Sequence, residues 1–143
     1  MIDELIKQTV NRLNSLELFQ DVLTADELSG LDEIQQQTPS ANVIYGGITV
    51  EDTARGNRAV KVQDRITIVL TVRFNSFRAA QLYEEATPLI EATISALMGW
   101  TPDKWISETR FVGAAEPLFS ETGFAYFPLE FEIGRVIKAS NQQ

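Results

Sequence analysis

Two residue types are missing outright: the 143-residue chain has no cysteine and no histidine. Without cysteine there is no disulfide, thiolate nucleophile, redox pair or iron–sulfur cluster, and without histidine the usual structural zinc sites go as well. Any metal would be held by oxygen. The same absences remove Ser-His-Asp and Cys-His triads, and with them the side chain that most often moves protons near neutral pH. Positive charge is scarce: 12 Lys+Arg against 20 Asp+Glu give a formal net charge of −8. That balance argues against attraction of the whole chain to nucleic acid or to an anionic membrane surface. Long apolar runs are absent too, since the best one, Ile66 to Val72, falls far short of the roughly 20 residues that span a bilayer. The chain opens Met1-Ile2-Asp3-Glu4, acidic where a secretory signal is basic, so the protein is expected to start life in the cytoplasm.

What is present fits one domain over residues 1–143, with enough apolar residues (44%) for a core that needs no staples. Ile2, Leu5, Ile6, Val10, Leu13 and Leu16 recur at helical spacing and predict an amphipathic N-terminal helix. Leu18 to Leu23 reads as a short strand. Thr24 with Glu27 has the form of a capping box for a second helix around Asp26 to Gln36, which Gly30 weakens. Asn42 to Val50 reads as a strand interrupted at Gly46-Gly47 by a bulge. From Val60 to Phe74 apolar and polar residues alternate strictly, with Asp64 alone breaking the apolar parity and Val69 the polar one. The polar stretch Glu51 to Ala59 between these strands reads as a protruding hairpin arm.

Ser76 is a plausible N-cap for a helix whose apolar residues run from Phe77 to Leu97, ending at Gly99 as the C′ residue, with a kink or break expected near Thr87 because Pro88 follows. A strand is expected within Thr109 to Phe119. A final strand carries Ala125, Phe127, Leu129, Phe131 and Ile133 on one face, and its Pro128 favours an edge or a bulge. The order of elements gives an α+β fold: an antiparallel sheet of about four strands, helices packed on one face, and an extended hairpin arm.

No pattern of catalytic residues stands out. Glu130 and Glu132 share a strand face, and close carboxylates can serve as acid and base. Lys61, Arg65 and Arg73 on the polar parity of the long strand account for them equally by cross-strand ion pairing. Arg55-Gly56-Asn57-Arg58 lacks the lysine and second glycine of a P-loop. It reads either as a solvated loop or as a basic arm, continued by Lys61, that docks on an acidic partner through charge-assisted contacts. Most aromatics of the last third (Trp100, Trp105, Phe111, Phe119) read as core, whereas Phe124 and Tyr126, on the polar parity of the last strand, are candidates for a protein interface. No cofactor is implied.

The N-terminal helix, the strand pair with its arm, the helix containing Tyr83-Glu84-Glu85-Ala86 and ending Leu97-Met98-Gly99-Trp100-Thr101-Pro102, and the strand Phe127-Pro128-Leu129-Glu130-Phe131-Glu132-Ile133 together resemble bacteriophage tail terminator proteins, particularly the Mu-like tail completion group. The resemblance spans nearly the full chain. It implies a non-enzymatic virion protein that forms a homo-hexameric ring on the head-proximal end of the tail tube, stops tube polymerisation and offers a surface for head or neck joining. The tube protein, and in contractile tails the sheath, are the implied partners beside the neck or head-completion protein. The alternatives are another neck or baseplate subunit of a phage tail or tail-like bacteriocin, and a small α+β ligand binder or carboxylate enzyme using Glu130 and Glu132.

Overall fold

The strict alternation in the middle of the sequence becomes the centre of a sheet. The computed structural model describes residues 1–52, 58–74 and 79–140. It places β3 (Ala59–Arg73) between β2 (Ser40–Asp52) and β6 (Phe124–Lys138), antiparallel to both. β1 (Asp21–Thr24) flanks β2 in parallel; β4 (Arg110–Ala114) and the short β5 (Leu118–Phe119) flank β6 antiparallel. The sheet is therefore mixed and six-stranded, which corrects the expectation of about four antiparallel strands. Two features account for the difference. Residues 25–39 form a crossover long enough to bring β2 back beside β1 in the same direction. The single strand expected within Thr109 to Phe119 is divided into β4 and β5, with a register shift at Gly113 and Pro117 just ahead of β5.

The apolar parities meet as expected. Val43, Ile66, Ile68, Leu70, Leu129, Phe131 and Ile133 are buried on one face of the sheet. Helix α1 (Ile2–Asn14) lays Leu5 and Leu13 into the same core, and helix α3 (Ala79–Leu97) lays in Leu82, Ala86, Leu89 and Leu97. Each such aliphatic side chain contributes about 1.5–3 kcal/mol on burial. Thr9 and Thr93, also buried, satisfy their hydroxyls on the carbonyls one turn back, Leu5 at 2.7 Å and Leu89 at 2.8 Å. α3 runs unbroken through Pro88, against the break expected near Thr87. Pro88 lies on the exposed side, where water can serve the carbonyl that the missing N–H leaves without a donor. The proposed cap Ser76 lies outside the described residues.

Local signals hold in part. Gly99 ends α3 with φ +82°, a left-handed conformation suited to glycine, and the ladder shifts register between Tyr45 and Gly47 as the glycine pair predicts. Glu27 accepts hydrogen bonds from the backbone and hydroxyl of Thr24, but helix α2 (Ala25–Ser29) stops before Gly30, and only a 3-10 turn at Glu33–Gln35 follows. Pro128 lies on no outer edge strand and at no bulge. It pairs with Val69 inside the sheet, tolerated because residues 127 and 128 face the gap between β4 and β5 on the other flank.

Asp64, the one residue that breaks the apolar parity of β3, is completely buried. Its Oδ2 accepts from Arg135 Nε at 2.5 Å and Trp105 Nε1 at 2.9 Å; its Oδ1 accepts from the Tyr45 hydroxyl at 2.7 Å and Arg135 Nη2 at 3.2 Å. β2, β3, β6 and the loop after α3 are thereby tied to one carboxylate. Gly99 and Thr109 clasp that loop through reciprocal backbone bonds, Gly99 N to Thr109 O at 2.9 Å and Thr109 N to Trp100 O at 2.7 Å, which fixes where Trp105 is presented. Burial alone would raise the Asp64 pKa, but hydrogen bonds from Arg135, Tyr45 and Trp105, with the charge of Arg135, hold it below the usual carboxylate range. The Tyr45 hydroxyl is pushed up to about 12 by burial and by its bond to Asp64.

A carboxyl held low stabilises the fold fully above its ordinary pKa of about 4, and this stabilisation drains away as pH falls below that value. Asp64→Asn leaves the Arg135 guanidinium without its countercharge and is expected to cost about 3–5 kcal/mol at pH 7, read by urea denaturation. The acid slope of stability between pH 5 and pH 3 should flatten in the variant, each pH being about one to either side of the ordinary carboxylate value. A loss below ~1 kcal/mol would show that the network is not what holds these strands together.

Candidate functional site

The polar face of the sheet carries most of the chemistry-bearing residues picked out in the sequence. Arg65 stands opposite Glu132 in the β3–β6 register, and the Glu132 carboxylate lies 3.4 Å from Arg65 and 2.5 Å from Arg110 of β4. This is the cross-strand ion pairing the sequence offered as the alternative to catalysis. Glu130 stands opposite Thr67 and, across the bulge, Gly113. Among the described residues no group of three or more acidic side chains is placed to hold a metal ion, and no helix is long and apolar enough to cross a membrane.

At one end of the sheet β2, β3 and β6 run on together, down to the pairs Asp52↔Lys61 and Ala59↔Lys138. This is the base of the expected arm. Its residues 53–57, Arg55 among them, lie outside the described residues. Arg58 is exposed, and its carbonyl accepts from the Ala139 N–H at 2.7 Å, binding the end of β6 to the arm. Lys61 is 3.6 Å from the Glu51 carboxylate, which also accepts from Gln63. On the opposite face from Lys61, Ile48, Val50 and Ile137 are exposed apolar residues. The sequence reading did not single them out, although β-branched residues on an edge strand beyond the point where its partner ends are the available signal.

At the other end of β6 the two aromatic candidates part company. Phe124 is fully buried, with the Arg73 guanidinium 5.5 Å above its ring, so the expectation of an accessible anchor there is corrected. Its N–H donates to Ser120 Oγ at 3.1 Å and its carbonyl accepts from Ser120 N at 2.8 Å, which folds the 120–123 turn back onto the strand while Phe124 stays opposite Arg73 on the polar parity. Tyr126 is half-buried; its hydroxyl donates to Glu33 and accepts from Gln36 Nε2 at 3.3 Å. Thr122 donates to the same Glu33 carboxylate. Bonds from Thr122 and Tyr126 hold Glu33 below the usual carboxylate range, while burial and Glu33 raise the Tyr126 phenol. The segment around the 3-10 turn is thus pinned to β6 through Tyr126.

The residues that do face outward at this end are Leu118, 65% exposed, and Phe119, 53% exposed, on β5. Phe119 stacks edge-on against Phe74 at 5.8 Å, which holds the ring in place while leaving much of it bare. Two adjacent apolar residues in a strand point to opposite faces, so Leu118-Phe119 could not both have entered the core. That was the missed signal.

Tyr126→Phe removes the hydroxyl and little else. It should speed amide hydrogen exchange in residues 31–38 by about tenfold or more, since the bond to the charged Glu33 carboxylate and the bond from Gln36 are both lost, with other segments unchanged. Unaltered protection there would mean that the pin is not what holds the segment.

A comparison with curated proteins gives no match. Among solved structures, a chain from the "Virion of native gene transfer agent (GTA) particle" is similar in fold, with a TM-score of 0.55 and 14% identity over 90% of each chain. The family profile described as "Phage tail terminator protein" matches residues 4–142. By that match, over nearly its whole length, the chain belongs to the phage tail terminator family.

Proposed function

We propose that this chain is a structural component of the virion tail that forms a ring on the head-proximal end of the tail tube, ends tube polymerisation and provides the surface on which the head or neck joins. The observation that carries the reading is the family match over residues 4–142. The physical features support it. A closed ring needs heterologous contacts, in which two different surfaces of each copy meet. Here the arm base and the Leu118-Phe119 turn are different surfaces at opposite ends of one rigid sheet. The ring is homo-hexameric in this proposal, its partners are the tube protein and, in a contractile tail, the sheath, and no cofactor or catalytic step is needed. The arm, with Arg58 and Lys61 at its base, reaches a neighbouring subunit or the tube. Tyr126 acts from behind, holding the polar face in shape.

Particles assembled without the protein should carry tails of irregular or excessive length by negative-stain electron microscopy, and supplying the protein in trans should restore one length. Tails of uniform, normal length in its absence would overturn the proposal.

A further inference from the structure

Each end of the sheet carries exposed large apolar residues, as do other parts of the described chain such as Met98 and Ile106. At the arm end Ile48 (47% exposed), Val50 (56%) and Ile137 (39%) lie on one face, continuous with the core face but beyond the cover of the helices. The register settles their common face: Ile48 pairs with Asp64, Val50 with Val62 and Ile137 with Val60, all of one parity on β3. At the turn end Phe119 projects from β5 on the face of its partner Ala125, its ring braced on Phe74, and Leu118 projects on the face of its partner Tyr126. The ends are separated by most of β6, about 40 Å at 3.3 Å per residue, so no single chain can bring them together.

Charge differs between the ends in the same sense. Exposed Arg58 and Lys138 flank the arm-end patch, with Lys61 on the other face beside Glu51. Exposed Glu116 and Glu121 flank the turn. From Phe111 to Gly134 the chain has four Glu and no Lys or Arg, and the cation nearest the turn in the ladder, Arg73, lies over the Phe124 ring. Among the described residues the arm end thus carries Arg58, Lys61 and Lys138 against Glu51, and the turn end Glu116 and Glu121 against Arg73, so the apolar residues at the two ends lie beside charge of opposite net sign, as in a specific protein interface.

We infer that the arm-end patch Ile48, Val50 and Ile137 is the seat for the Leu118-Phe119 turn of a second copy of this chain, with Arg58 and Lys138 facing Glu116 and Glu121 across the contact. The inference rests on the ring proposed above and names the surfaces that close it. Phe119 is the anchor: an aromatic already held in one position loses little freedom on docking. Because the two surfaces differ, the contact is heterologous. Each copy offers one and receives the other, so copies add head to tail, and the ring closes when their successive rotations complete a turn.

The absence of native cysteine makes the contact directly testable. Val50→Cys and Leu118→Cys, both at exposed positions, are prepared separately, checked for wild-type thermal unfolding, mixed and oxidised, both as purified protein and within particles assembled from the two variants together. The expected product is a Val50→Cys/Leu118→Cys heterodimer in about tenfold excess over either homodimer. Glu116→Lys/Glu121→Lys on the Leu118→Cys chain should reduce its yield by about tenfold, and Arg58→Glu/Lys138→Glu on the Val50→Cys chain should recover it. Homodimers as abundant as the heterodimer, or no hetero-crosslink in either preparation, would overturn the inference. Tail length separates the two claims: hetero-crosslinking with normal tails in a deletion sinks the terminator role alone, whereas aberrant tails without hetero-crosslinking in particles sink this interface alone.

Discussion

One buried charge sets the terms for the rest of the molecule. A carboxylate taken out of water is tolerable only when its acceptor sites are filled by donors of fixed geometry, and Asp64 meets that demand with partners from three separate parts of the chain. Arg135 comes from β6, Tyr45 from β2, and Trp105 from the loop after α3. None can shift along its neighbour without leaving a charge or a polar group stranded. The apolar face would accept several arrangements of similar side chains, but the network accepts one register.

That constraint matters because of where it lies. The network sits where the sheet leaves the cover of the helices, just before β2, β3 and β6 continue as the base of the arm. Asp64 and Arg135 therefore fix the sheet at the root of its projecting end, while the clasp between Ser120 and Phe124 fixes the turn at the other. β6 passes through both. A surface at one end is held relative to a surface at the other by continuous strand pairing and not by loops, which is what repeated head-to-tail association of identical copies requires.

The sequence made the centre of the sheet readable and its periphery obscure, for a physical reason. β3 and β6 alternate because one face is buried, so period two is written into the residues, and Asp64 stood out as the exception that became the network. A short strand was legible at Leu18 to Leu23, but β1 pairs in parallel with a strand reached only through a crossover, so no local pattern announced its pairing. Pro128 suggested an edge because proline lacks a donor; the gap between β4 and β5 gave it a local edge inside the sheet, an arrangement that depends on other strands. Phe124 keeps the polar parity, opposite Arg73, but is buried there by the turn that folds back on it, which parity alone does not show. The candidate site was half legible: Arg58 and Lys61 were found from charge, whereas Ile48, Val50, Leu118 and Phe119 were apolar residues that differ from core residues only in what fails to cover them.

The overall acidity of the chain takes on a different meaning once it is divided by location. A net charge of −8 spread evenly would make identical copies repel one another at every approach. The cations are not spread evenly. Among the described residues, Arg135 is spent within the network and Lys104 is paired with Glu4, while Arg58, Lys61 and Lys138 gather at the arm end and the turn end carries exposed Glu116 and Glu121 against exposed Arg73. Excess negative charge then opposes most approaches between copies but favours the one in which an arm end meets a turn end. Contacts between exposed charges of this kind contribute little energy, about 0–1 kcal/mol each, so their effect is on orientation, with the apolar centres supplying the attraction. In the ring proposed here, repulsion everywhere else is as useful as attraction at the one correct contact.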